Sequence, residues 1–289
     1  FKQKTAYEML RSLVGSEMCI RDRVKMSIVN SLMDLSGKTV LVAGGAGYLG
    51  TAFCEALAEL GANIVIASRD VEKCSRLSDK LKREFNVSSR PCYLDLFDNE
   101  SIASCIEFTT SEYKSIDVLI TSAWSGKKNS WDSISNKDWD YDIEICLNGI
   151  FRLVKESTAA LKSSQGVILT ISSMYGHIAP DYKLYEDVPQ INPPSYGASK
   201  AGIIQLTKYL ASFLAPYGIR ANCISPGAFP FKEIYTQYPE FAQRLCSKNP
   251  MGRIGEPDDL KGVAALLCTD LSKYMTGQNI CVDGGWGAW

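Results

Sequence analysis

Thr39-Val40-Leu41-Val42-Ala43 runs directly into Gly44-Gly45-Ala46-Gly47-Tyr48-Leu49-Gly50, and the class of fold turns on these twelve residues. The first five are β-branched or apolar without a charged break, the pattern of a short strand buried on both faces. Beyond the glycines, Phe53, Leu57 and Leu60 recur at helical spacing until Gly61 stops the run. A strand that feeds a glycine turn and then a helix N-terminus makes a phosphate cradle. The glycines let the backbone approach the ligand, and free N–H groups and the helix dipole meet its negative charge. Gly44, Gly47, Tyr48 and Leu49 are therefore the expected contacts.

Outward from this stretch, strands and helices alternate. A second strand over 63–67 ends in Ser68-Arg69, a charged helix covers about 71–86, and a third strand runs into Tyr93-Leu94-Asp95. A helix from Asn99, a strand over 117–120 and one long helix over 138–161, carrying Asn148, come next. The strand 166–171 ends in Ser172-Ser173, and the strand 219–224 runs into Ser225-Pro226-Gly227. A last helix begins near Pro257, and 278–282 closes the series as a strand. The alternation predicts an α/β, single-domain Rossmann fold: a doubly wound parallel sheet of about seven strands with helices on both faces. At the end of the second strand an acidic residue would bind the ribose hydroxyls of NAD, whereas an arginine accommodates the 2′-phosphate of NADP. That end carries Ser68 and Arg69, which favours NADP, with NAD the alternative.

Between the two later strands lies Ser195-Tyr196-Gly197-Ala198-Ser199-Lys200, followed by Ile203, Leu206, Leu210 and Phe213 at helical spacing. On such a helix Tyr196 and Lys200 share one face, a turn apart. An ammonium beside a phenol favours the phenolate, so Tyr196 is a candidate acid or base near neutral pH.

Composition narrows the alternatives. With 31 basic and 32 acidic residues, the net charge is −1, and no basic field argues for nucleic acid. No apolar run reaches the length of a membrane span. The ten cysteines are scattered singly, mostly inside apolar runs, which reads as reduced core thiols in a cytoplasmic protein and not as disulfides or zinc. His177 is the single histidine, so no histidine metal cluster is expected. Residues 1–25 resemble a translated sequencing-adapter leader that is not native, and 26–289 is read as the one folded domain, starting at Met26 or Met33.

Taken together, Ser173, the Tyr196/Lys200 pair, Asn148, the glycine turn, Ser225-Pro226-Gly227 and the terminal Val282-Asp283-Gly284-Gly285 resemble the short-chain dehydrogenase/reductase family. The segment Arg253-Ile254-Gly255-Glu256-Pro257-Asp258-Asp259-Leu260 is similar to the family's stretch before its last helix, and the resemblance covers about 38–285. It implies NAD(P)-dependent hydride transfer to or from a carbonyl or secondary alcohol. By that resemblance Tyr196 would move the proton, and Lys200 would lower the Tyr196 pKa and hold the nicotinamide ribose. Ser173 would bond the reacting oxygen, and Asn148 would anchor a water linking Lys200 to solvent. Asp95 and Leu96 would lie along the adenine, Ala123 against the cofactor, and Pro226, Gly227 and Ala228 along the nicotinamide side. A homodimer or homotetramer is also implied, with the Trp286 and Trp289 tail a candidate subunit contact.

Three departures bear on the substrate. The Gly44-x-x-Gly47-x-x-Gly50 spacing is nearer the nucleotide-sugar-modifying branch of the superfamily, and Trp124 follows Thr121-Ser122-Ala123 where many members have glycine. Ser173 and Tyr196 stand 23 positions apart, longer than usual, and the extra segment 179–194 has to leave and return at the catalytic edge. Its tyrosines, carboxylates and amides suit a polyhydroxylated ligand. The segment is similar to that of bacterial dehydrogenases of flagellin-glycan and nonulosonic (sialic-acid-like) sugar synthesis. The expected substrate is thus a sugar derivative: a sugar phosphate, nucleotide sugar or sialic-acid-like sugar. A nucleotide-sugar dehydratase or epimerase that retains its cofactor, and a non-catalytic NADP-sensing protein, stand as alternatives.

Overall fold

β1 (Thr39–Ala43) is buried at every position, and its side chains divide strictly between the two faces of the sheet. Leu41 and Ala43 join one core cluster with Val65, Ala67 and Leu119; Val40 and Val42 join the opposite one with Ile64, Ile66, Val118 and Ile120. This period-two division is what a strand covered by helices on both sides requires. The computed structural model describes residues 28–189 and 191–288. The expectations placed on residues 1–25 and Met26, and on Gln190 and Trp289, lie outside these residues.

Seven parallel strands form one sheet in the order β3-β2-β1-β4-β5-β6-β7: β1, β2 (Asn63–Ser68), β3 (Ser89–Tyr93), β4 (Val118–Thr121), β5 (Val167–Ile171), β6 (Arg220–Pro226) and β7 (Asn279–Val282). The order reverses between β1 and β4, so the crossovers leave in opposite directions there and open a crevice at the strands' carboxyl ends.

The helices are α1 (Ile28–Met33), α2 (Tyr48–Glu59), α3 (Val71–Phe85), α4 (Asn99–Tyr113), α5 (Asn136–Ile143), α6 (Gly149–Ser164), α7 (Pro194–Leu214), α8 (Glu233–Gln237), α9 (Pro239–Ser247) and α10 (Lys261–Cys268). Asp70 caps α3 by accepting the Lys73 N–H at 3.0 Å, and Asp98 caps α4 by accepting that of Glu100.

The one long helix expected over 138–161 is corrected. A π-helical turn, Glu144–Asn148, separates α5 from α6. Each π turn takes in an extra residue, which rotates the side chains after it relative to a continuous α-helix. Trp286 also departs from its expected place. It is 6% exposed and packs inside the chain, in a third cluster with Met174, Tyr175, Leu184, Phe241 and Leu245. Seven cysteines are buried, as the apolar runs around them predicted, and Cys281 is exposed. Among the described residues no helix is long and apolar enough to cross a membrane.

Candidate active site

A cavity of about 750 Å³ lies along the carboxyl ends of the strands, a volume usual for a cofactor or substrate site. At one end is the glycine turn. Gly44 has a φ of +77°, and a Cβ there would come within 2.6 Å of the Ala123 backbone; a Cβ on Gly50 would strike the Gly44 carbonyl at 2.1 Å. Side chains at these positions would close the gap between the first turn of α2 and the loop after β4. Gly47 caps α2 with backbone alone, leaving the helix's first N–H groups open toward the cavity.

Ser68, Arg69 and Lys73 line the same end. Asp70 is committed to capping α3 and to the Lys73 ammonium at 3.3 Å, and among the described residues no ion pair joins it to Arg69. Lys73, a second cation beside Arg69, escaped the sequence reading because it looks like any charged helix residue. Asp95 and Leu96 lie across from them: the Asp95 carboxylate accepts the Phe97 N–H at 3.0 Å, and the Leu96 carbonyl accepts Arg152 Nη2 at 2.6 Å. These features, an open helix N-terminus, a glycine floor and two cations at the far end, fit a dinucleotide with an adenosine 2′-phosphate.

At the other end the structure brings Ser173, Tyr196 and Lys200 into one cavity. Lys200 is 3% exposed, and its Nζ donates to the Ile171 carbonyl at the end of β5 at 2.9 Å. Two N–H bonds remain to it, and the ammonium lies 5.7 Å from the centroid of the Tyr196 ring. Ser172 Oγ donates to the Lys200 carbonyl at 2.7 Å, tying the strand end to α7. Ser173 has extended backbone and caps a short 3₁₀ turn, its Oγ accepting the Tyr175 N–H at 3.2 Å. Its hydroxyl proton is thereby left to donate into the cavity. Tyr48, Leu49, Ala123, Gly227 and Ala228 also line the cavity.

Two expected site residues are not brought to it. Pro226 is buried in β6 and does not line the cavity, which begins at Gly227. Asn148 is exposed on the far side of the π turn and donates to Glu144 Oε2 at 2.7 Å. Glu144 in turn pairs with Arg152 at 2.6 Å, the residue that holds the Leu96 carbonyl, so Asn148 supports the loop of Leu96. The buried residues of that turn are Ile145, which lines the cavity, and Cys146, 1% exposed, whose thiol donates to the Ser125 carbonyl at 3.2 Å. Burial pushes this thiol up, while the charge of Lys200 works the other way.

The segment 179–194 sends Tyr185, Val188, Ile191 and Asn192 into the cavity. Its carboxylates turn outward: Asp181 pairs with Lys248 at 2.9 Å and Asp187 with Arg244, both basic residues at α9. Tyr185 shares a hydrogen bond with Tyr175 at 3.0 Å and accepts Asn192 Nδ2 at 2.7 Å. Phe241 and Leu245 from α9 and Ile234 from α8 complete an apolar wall. Trp124, 40% exposed, meets Tyr196 edge-on with centroids 5.9 Å apart. Phe241 and Lys128, both in the lining, gave no signal in the sequence; each sits in a stretch without periodicity or motif.

What this fold and cavity define is a class of oxidoreductase that works with a nicotinamide dinucleotide. Residues 44–287 match the family model described as enoyl-(acyl carrier protein) reductase. The 3-oxoacyl-[acyl-carrier-protein] reductase FabG of Thermotoga maritima is 32% identical over 257 residues, 88% of this chain and 99% of its own. The trans-4-hydroxycyclohexanecarboxylate dehydrogenase of Sinomonas cyclohexanicum is 31% identical over 253 residues, 86% of this chain and 92% of its own. A solved gluconate 5-dehydrogenase from Burkholderia cenocepacia, in complex with NADP and tartrate, has a TM-score of 0.81 at 27% identity, covering 90% of this chain and 99% of that one. The chain belongs to the short-chain dehydrogenase/reductase family and is an NAD(P)-dependent oxidoreductase acting on CH–OH groups.

Proposed function

We propose that the enzyme interconverts a secondary alcohol and a ketone on a hydroxylated, sugar-like substrate, with NADP preferred over NAD and Tyr196 moving the proton. The observation that carries the reading is the burial of Lys200 against Tyr196, in the cavity that also holds Ser173. When bound, the nicotinamide supplies or accepts the hydride. Tyr196 Oη gives its proton to the forming alkoxide, or takes it in the oxidative direction. Ser173 Oγ donates a hydrogen bond to that oxygen as its charge grows. Lys200, held by the Ile171 carbonyl, keeps a positive charge beside the phenolate left behind. Trp124 shields one side of Tyr196 from water.

Support for a sugar derivative, of the kind handled by the flagellin-modification and nonulosonic-acid dehydrogenases, comes from aromatic rings interleaved with neutral hydrogen-bonding groups. Tyr175, Tyr185 and Asn192 supply those groups. Arg69 and Lys73 support NADP. A homo-oligomer is supported by the exposed Tyr209 and Phe213, whose rings stack on α7.

The test is NADPH formation, alongside NADH formation, across a panel of sugar alcohols and hydroxylated rings. Turnover should favour NADP, and Tyr196→Phe should lower kcat by about a thousandfold with cofactor affinity retained. A Tyr196→Phe enzyme of near wild-type rate refutes the assignment. Cofactor that is reduced and released, not recycled on the enzyme, separates this reading from a dehydratase or epimerase.

A further inference from the structure

Lys128 enters the cavity from the loop after β4, and that loop is fixed in place. The Lys127 N–H donates to Asp142 Oδ1 at 3.1 Å, and Asn129 Nδ2 donates to Asp138 Oδ2 at 3.1 Å. Asp142 is 1% exposed and also accepts the Ser195 hydroxyl at 2.6 Å, so one buried carboxylate holds both this loop and the helix of Tyr196. Between these anchors Lys128 has a φ of +55°, a left-handed backbone that residues with side chains adopt at a cost and that recurs at ligand sites.

Its side chain reaches the substrate end. Nζ lies 5.7 Å from the Trp124 ring, which itself meets Tyr196. Among the described residues lining that end, charge is carried by Lys128 and Lys200, both positive; Tyr175, Tyr185 and Asn192 are neutral and Phe241 is apolar. Desolvation pushes the Lys128 ammonium below the usual lysine range.

We propose that Lys128 receives a carboxylate of the substrate, so that the enzyme acts on a hydroxy acid and its keto acid, the anion placed over Trp124 and the reacting carbon at Tyr196. One ammonium matches a monoanionic carboxylate. A phosphate dianion calls for the paired cations and open helix N-terminus found at the opposite end of the cavity. The proposal rests on the role given to Tyr196 above, and it is read by binding and not by turnover, so the two can fail separately.

The experiment is calorimetric titration of the NADP⁺-loaded protein with matched pairs: gluconate against sorbitol, and 4-hydroxycyclohexanecarboxylate against its amide. The wild-type protein should bind the acid of at least one pair about tenfold more tightly than its neutral partner. Lys128→Met should abolish that preference and leave NADPH affinity unchanged, and Lys128→Arg should retain most of it. Lys128→Gly, which relaxes the left-handed backbone, should lose the preference without loss of thermal stability, separating the charge from folding. A wild-type protein that binds neither acid or prefers neither overturns the proposal. So does a Lys128→Met protein that keeps the preference or loses NADPH affinity instead, or tighter binding of glucitol 6-phosphate than of gluconate.

Discussion

Asp142 touches neither cofactor nor substrate in the scheme above, yet two pieces of the site depend on it. A buried carboxylate with two donors aimed at it is stable only while both bonds are made, since a donor left unmatched inside the protein keeps its desolvation cost. Asp142→Ala should therefore lower the unfolding free energy by about 2 kcal/mol in urea titration, with Asp142→Asn costing less. Amide exchange at Lys127 should accelerate in the alanine protein, and an unchanged rate would show that the loop is held by something else. At this scale the sequence was informative where spacing acts within a regular helix. Tyr196 and Lys200 share a face of α7 because four residues make about one turn. Asn148 was misplaced because it closes a π turn that shifts the phase, and nothing in Glu144-Ile145-Cys146-Leu147-Asn148 announces the extra residue. Lys128 was illegible for a different reason. A lysine in a polar loop becomes distinctive only when the buried acid fifteen positions away in sequence from its neighbour Lys127 folds against it.

Among the elements, Glu55 joins three. From α2 it meets Lys80 of α3 at 2.6 Å and Lys261 of α10 at 2.8 Å, its side chain 14% exposed. Desolvation acts to raise its pKa, but the two ammonium partners outweigh it and hold the carboxyl below its ordinary value of 4.5. The folded value being the lower one, this contribution is fully present above the unfolded value and is lost as pH falls through the folded one. Glu55→Gln should thus cost about 1 kcal/mol at neutral pH, a figure reduced by solvent around the lysines, and the difference from wild type should shrink in acid, as the pH falls through the lowered folded value. A gap of equal size at neutral and acid pH, measured by denaturant titration, would contradict the ion-pair origin. The strands were legible because a sheet buried on both faces forces short, unbroken apolar runs between turn residues. The pair α8 and α9 was not, since each is short and the second buries only Phe241, Ala242 and Leu245, too few positions to establish a period.

Over the whole molecule, the described residues leave one stacked aromatic pair open on the surface of α7. Tyr209 and Phe213 are 59% and 56% exposed, and stacked rings in water are the usual sign of a face that another surface covers. Phe213→Glu should convert the assembly to smaller species in sedimentation velocity without lowering thermal stability of the separated chain by more than about 1 kcal/mol. A wild-type protein that sediments as a monomer at micromolar concentration removes the oligomer from the reading. The segment 179–194 has a further implication. Its anchors, Asp181 and Asp187, grip α9 from outside, while Tyr185, Val188, Ile191 and Asn192 face the reacting centre. Attachment and selectivity are therefore written in different letters of the same short text. Evolution, or an engineer, can rewrite the inner ones to admit a new molecule while the hinge pins that keep the segment seated stay as they are.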